Sequence, residues 1–106
     1  MQKVTAGRDI LGEFAPKFAV LNDDVLFGQI CARERELSPR DRSLVTVTAL
    51  MAGGILDGSL MHHLQTAKAN GITKGEIAEA LTHAAFYAGW PKAWAAFRMA
   101  KEVWTD

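Results

Sequence analysis

The chain has 106 residues, enough for a single domain whose one modest core buries about two-thirds of the unfolded surface. Twelve basic residues balance twelve acidic ones, so charge points to neither nucleic acid nor an anionic membrane surface, and 49% hydrophobic content exceeds what so small a monomer readily hides. No apolar run approaches the roughly 20 residues of a membrane span, no signal-peptide core is seen, and the single cysteine leaves no intramolecular disulfide, all of which fits a reducing cytoplasm.

In chain order, Met1 to Gly7 reads as a flexible arm. Asp9 is placed to cap a short helix carrying Ile10, Leu11, Phe14 and Phe18, a spacing that Pro16 interrupts. A short helix, a break and a second turn are therefore expected. Asn22 caps the next helix, which runs through about Arg33 with Leu26, Phe27, Ile30 and Cys31 facing inward and Cys31 acting as a small buried hydrophobe. Arg33-Glu34-Arg35-Glu36-Leu37 is a charged bridge, a solvated connection with local ion pairs.

Ser38 to Gly71 reads as a helical hairpin around which the rest is organised. Ser38 caps, Pro39 sits where its missing N–H costs nothing, and Asp41 answers the cap. Leu44 to Ala52 is apolar or hydroxylic on every face, the mark of a buried rod, and Gly53-Gly54 ends it. The second arm carries Leu60, His63, Leu64, Ala67 and Gly71 at spacings of three and four, which sets the His63 imidazole within the apolar stripe.

After Gly71, Thr73-Lys74-Gly75-Glu76 is a capping box, and Ile77, Leu81, Ala84, Ala85 and Ala88 form a narrow stripe of small residues. Gly89-Trp90-Pro91 stops that helix and starts the last, with Trp94, Phe97, Ala100, Val103 and Trp104 at its apolar positions. No segment has the period of two that a strand needs. The expected fold is all-α, about six helices around a buried helical hairpin, in one domain over residues 1–106.

By position alone His63 is better explained by a core histidine bonded to a backbone carbonyl than by a site role. His62 lies about 100° round the helix, on the face of a surface or subunit-contact residue. His83 shares a face with Glu76, Ala80 and Tyr87, either as a helix-surface group or as a second polar group in a pocket. The three histidines lack zinc-site spacing, so no zinc site is expected, though His63 and His83 could meet in the fold. Tyr87, Trp90, Trp94 and Trp104 read as core and interface.

Leu37-Ser38-Pro39-Arg40-Asp41-Arg42-Ser43-Leu44, then His63-x3-Ala67-x3-Gly71-Ile72-Thr73, then Glu76-Ile77-x-Glu79, then Tyr87-Ala88-Gly89-Trp90-Pro91 follow one another in an order and spacing that resembles the carboxymuconolactone decarboxylase family. The similarity runs from about Phe18 to Val103. It implies an all-helical subunit that assembles into homo-trimers or homo-hexamers, which would take up the surplus of apolar residues. One branch of that family is similar to alkylhydroperoxidase D, with a Glu, a Cys-x-x-Cys and a His four residues later. Matched onto His63, the cysteine positions fall on Leu56 and Ser59 and the Glu position near Ser43 or Leu44. Neither the attacking thiolate nor the resolving thiol of a disulfide-cycling peroxidase is present there.

The other branch is similar to γ-carboxymuconolactone decarboxylase and keeps the His-x3-Ala-x3-Gly helix without the cysteines. This branch implies a cofactor-free lyase acting on a small lactone or carboxylic acid. Such chemistry needs a clamp for the carboxylates, stabilisation of an enolate, and an acid that protonates carbon. His63 is the expected acid, since imidazole titrates near neutral pH. Arg40, Arg42 and Arg33 (or Arg35 beside it) are the expected carboxylate clamp, with His83 and Tyr87 as further substrate contacts. The expected partners are a small carboxylate or lactone and copies of the same chain, with no nucleic acid and no membrane. Two other readings stay open: a hydroperoxide or redox function using Cys31 or an exogenous thiol beside His63, and a non-catalytic oligomer that binds a small molecule.

Overall fold

A computed structural model describes residues 3–105, and every regular element among them is helical, giving the expected all-α fold. Two compact units divide the chain between Pro39 and Arg40.

In the N-terminal unit, α1 (Ala6–Leu11) is followed by α2 (Pro16–Val20), which runs on without a break into a π-helical segment, Leu21–Ile30. Pro16 takes the first helical position, where its fixed φ starts α2. The cap of α1 is at Thr5 rather than Asp9, and the Thr5 hydroxyl donates to Asp9 Oδ2 at 3.1 Å. The expected arm is shorter than residues 1–7, because Gly7 lies in α1 and is buried; Met1 and Gln2 lie outside the described residues.

Asn22 is not a cap. It sits inside the helix and donates from Nδ2 to Asp23 Oδ1 at 3.0 Å. The buried Asp23 carboxylate also accepts the backbone N–H of Gly7 at 2.8 Å and of Arg8 at 3.0 Å. Those are orphan donors at the start of α1, so a carboxylate from 15 or 16 residues away does the work of a cap. A methyl group on Gly7 would lie 2.7 Å from Asp23 Oδ1, which explains the glycine.

The apolar faces expected in this unit are not buried. Phe14 is 90% exposed, and Ile10, Phe18, Leu26 and Ile30 also face solvent, while Cys31 is half-buried. A π turn encloses one residue more than an α turn, as in the 2.8 Å bond from Cys31 N–H to Leu26 O. Positions assigned at α-helical spacing therefore do not share one face.

The C-terminal unit contains α3 (Pro39–Ala52), α4 (Gly58–Ala69), α5 (Lys74–Ala88) and α6 (Trp90–Val103), with α4 and α5 each packed on α6. Their core joins Val47 and Met51 of α3, Leu60, Leu64 and Ala67 of α4, Ile77 and Leu81 of α5, and Ala96, Ala100 and Trp104 at the end of the chain. The rod α3 is buried along one line only, Ser43, Val47 and Met51; Val45, Ala49 and Ala52 are exposed, contrary to a helix buried on every face. Hydroxyls of Thr46 and Thr48 donate to the carbonyls four residues earlier, so a sequence that reads as apolar or hydroxylic leaves no orphan donors on the flank.

The capping box of α5 forms as expected. Glu76 N–H reaches Thr73 Oγ1 at 3.1 Å, and Thr73 N–H reaches Glu76 Oε1 at 2.9 Å. In α6 the inward line is Ala93, Ala96 and Ala100, whereas Trp94 is 57% exposed. The methyl side chains let α6 approach the Ala84 and Ala85 stripe of α5, which a tryptophan at the contact would hold apart.

Three long-range bonds fix the helix order. Asn70 Nδ2 donates to Ser43 Oγ at 2.9 Å, Lys92 Nζ to Ala52 O at 3.0 Å, and Trp104 Nε1 to Ile72 O at 2.9 Å. One end of this unit thus gathers the starts of α3 and α5 with the ends of α4 and α6. The other gathers the end of α3 and the starts of α4 and α6. No helix among the described residues is long and apolar enough to cross a membrane.

Candidate functional site

Asp57 opens α4 by accepting the N–H of Ser59 at 2.9 Å, and the helix buries Leu60, Leu64 and Ala67 completely. His63 is on the shoulder of that stripe and is half-buried. Its ring stands edge-on to His62, with centroids 5.0 Å apart and planes at 73°. Burial, and then the neighbouring His62, hold the His63 imidazole below its ordinary titration range. Its uncharged form is thereby favoured, and an anion bound beside it would raise its affinity for a proton.

Arg40 and Arg42 begin α3. Asn70, bonded to Ser43, lies about 10 Å along α4 from His63, and Arg40 is nearly one further turn away. Arg40 is also held by Glu76 and, at 3.1 Å, by Asp41. Within the C-terminal unit, then, the Arg40 guanidinium and the His63 imidazole belong to different levels of the bundle. Arg33, in the N-terminal unit, lies 3.9 Å from Glu36, as a solvated bridge predicts.

His83 and Tyr87 do come together, on the exposed face of α5, with ring centroids 5.3 Å apart. The ring contact of His83 is Tyr87 and that of His63 is His62, so the two histidines do not stack. Of the positions matched to the peroxidase branch, Ser43 is buried and bonded to Asn70, Leu56 packs against the core, and Ser59 lies in the first turn of α4.

Cys31 borders a cavity of about 540 Å³ with Asp23, Asp24, Phe27 and Glu34, a setting richer in carboxylates than in the cations that activate thiols. A smaller groove of about 250 Å³ between α5 and α6 is lined by Thr82, Ala85, Trp90, Trp94 and Phe97, none of them a predicted site residue. Among the described residues no three His, Cys, Asp or Glu side chains converge as a metal cage.

Lys92 was not anticipated. It lies at the opposite end of the unit from Arg40, half-buried, with its ammonium on the Ala52 carbonyl. Its only sequence signal is its place just after the Gly89-Trp90-Pro91 stop.

The profile of the carboxymuconolactone decarboxylase family matches residues 16–102. A 4-carboxymuconolactone decarboxylase of Acinetobacter baylyi is 38% identical over 96 residues, which cover 91% of this chain and 70% of that protein. The chain belongs to the carboxymuconolactone decarboxylase family. The matched span starts at the proline that opens α2 and ends in the last turn of α6, so the family pattern takes in His63, all the candidate arginines and Lys92.

Proposed function

We propose that the chain is a decarboxylase of this family, a carbon–carbon lyase that acts on a small lactone bearing carboxylates without a cofactor, with His63 as the proton donor. Family membership and the relative's decarboxylase activity support the reaction class. The observation that carries the residue assignment is the placement of a titratable ring, half-buried beside Leu60 and Leu64, on a helix whose remaining inward positions are aliphatic.

In the reaction the bond from the ring carbon to the carboxylate breaks. Its electron pair moves through the conjugated system onto the lactone carbonyl oxygen as carbon dioxide leaves. The dienolate then returns the pair to carbon and takes a proton from the His63 imidazolium. Neutral His63 is reprotonated from solvent, so the sum is loss of carbon dioxide and gain of one proton at carbon. An imidazole held below its ordinary range is uncharged in the free protein and charges when the substrate anion arrives, which suits this cycle.

Arg40 and Arg33 would each have to release a carboxylate partner before clamping substrate, while Lys92 bonds only a neutral carbonyl. Lys92, at the end of the unit where α4 starts, is therefore the clamp in this proposal.

The test is His63→Gln, assayed for turnover of carboxymuconolactone and for thermal unfolding. Turnover should fall by about 10²–10⁴ with little change in the midpoint. Because folding lowers the proton affinity of His63, its contribution to stability is present above the ordinary value of 6.5 and is lost as pH falls below it. The variant should flatten that acid limb. Unchanged turnover with a lowered midpoint would make His63 a structural histidine only.

A further inference from the structure

The groove at the α3-start end of the C-terminal unit has a chemistry that the reaction above does not use. It has a volume of about 560 Å³, within the range of small-molecule sites, and runs between the first turn of α5 and the last turn of α6. Its floor is apolar: Ile77 and Ala78 on one side, Phe97 and Trp104 on the other. The Trp104 ring is a fixed wall, because its indole N–H is tied to the Ile72 carbonyl at 2.9 Å. Lys74 and Lys101 stand at the rim, both exposed.

Lys74 is the first residue of α5, where the helix dipole favours an acid, so a lysine there costs the helix something locally. The nearby carboxylate does not offset it. Glu76 is engaged on one oxygen by the Thr73 N–H and on the other by Arg40. Among the described residues no ion pair holds either lysine. Two ammonium groups and the positive end of a 15-residue helix therefore overlook one apolar trough.

We infer that this groove binds an amphipathic carboxylate, with its apolar tail along Phe97 and Trp104 and its carboxylate between Lys74 and Lys101. Charge complementarity selects this occupant, since a neutral apolar molecule would leave both ammonium groups unanswered and a small hydrophilic anion would leave the floor wet. The site is distinct from His63, which lies about 10 Å back along α4 from the level of Asn70. It does not depend on the proposed decarboxylation.

The test titrates the full chain with octanoate and, separately, with 1-octanol, following amide and methyl NMR shifts. Octanoate should shift Ile77, Phe97 and Ala100, and should bind more tightly than octanol. In Lys74→Gln/Lys101→Gln, octanoate affinity should drop about five- to tenfold while octanol affinity stays unchanged. His63→Gln should bind octanoate as the parent does, which separates this site from the reaction. Equal affinity for acid and alcohol, an unchanged double variant, shifts confined to other residues, or no binding at all would each overturn the inference.

Discussion

In the C-terminal unit Val47, Met51, Leu60, Leu64 and Leu81 are wholly buried, whereas in the N-terminal unit the residues sealed from solvent are Gly7, Ala19 and Asp23. One unit is held by aliphatic packing. The other is organised by a single carboxylate that gathers donors from Gly7, Arg8 and Asn22, with Arg8 also bridging to Asp24 at 2.6 Å. Ionised acceptors make the stronger hydrogen bonds, so a polar latch can order a short helix that has almost no apolar interior. The latch does nothing for Ile10, Phe14, Phe18, Leu26 and Ile30, which remain exposed. We propose that the homo-trimer or homo-hexamer that the family resemblance implies covers these side chains.

If packing holds the C-terminal unit, a cavity should damage it most. Leu64→Ala is expected to destabilise that unit by about 2–5 kcal/mol in denaturant titrations. A loss under about 1 kcal/mol would mean that the core is looser than its burial suggests. Trp104→Phe keeps an aromatic ring but removes the donor to the Ile72 carbonyl, and should cost about 1–3 kcal/mol in the same titration. Little or no cost there would show that the carbonyl finds water.

The latch is probed by Asp23→Asn, which keeps the shape but turns one carboxylate oxygen into a donor facing N–H groups. Amide exchange at Gly7 and Arg8 should quicken, with the α4 amides as internal reference. Burial alone would raise the Asp23 carboxyl, but the Asn22 amide, the two backbone N–H groups and Arg8 together hold it below the usual range. Its contribution to stability is accordingly present above the ordinary value of 3.8 and is lost as pH falls below it. Exchange at Gly7 and Arg8 that ignored both acid and substitution would end the idea of a latch. The smallest effect is expected for Arg40→Ala, about 0–1 kcal/mol, since its ion pair with Glu76 is partly exposed and the capping box survives without it.

Local signals carried furthest where cause and effect lie within a few residues. Thr73 and Glu76 set the start of α5, Gly89 and Pro91 the next junction, and the three-and-four spacing of Leu60, Leu64 and Ala67 identified the stripe on whose edge His63 rides. Misreadings arose where side-chain bulk or winding decides. In α6 the heavier Trp94 looked more like a core residue than Ala93 or Ala96, but close helix contact favours methyl groups. Between Leu21 and Ile30 the π winding shifts every face assigned by a period of 3.6. The Asp23 latch and the Lys92 contact join residues 16 and 40 apart, and no local pattern announces either.

At Gly71 and Gly89 the backbone has φ of +100° and +112°, yet a methyl group built on either would meet nothing within 4 Å. Space is available at both; handedness is what is restricted. An ordinary L-alanine would fit the volume and oppose the torsion, while a D-residue, for which positive φ is the favoured sense, would oppose it less and leave the unfolded chain fewer shapes to explore than glycine does. The turns that join α4 to α5 and α5 to α6 are thus chiral requirements rather than steric ones, and glycine meets them because it has no hand.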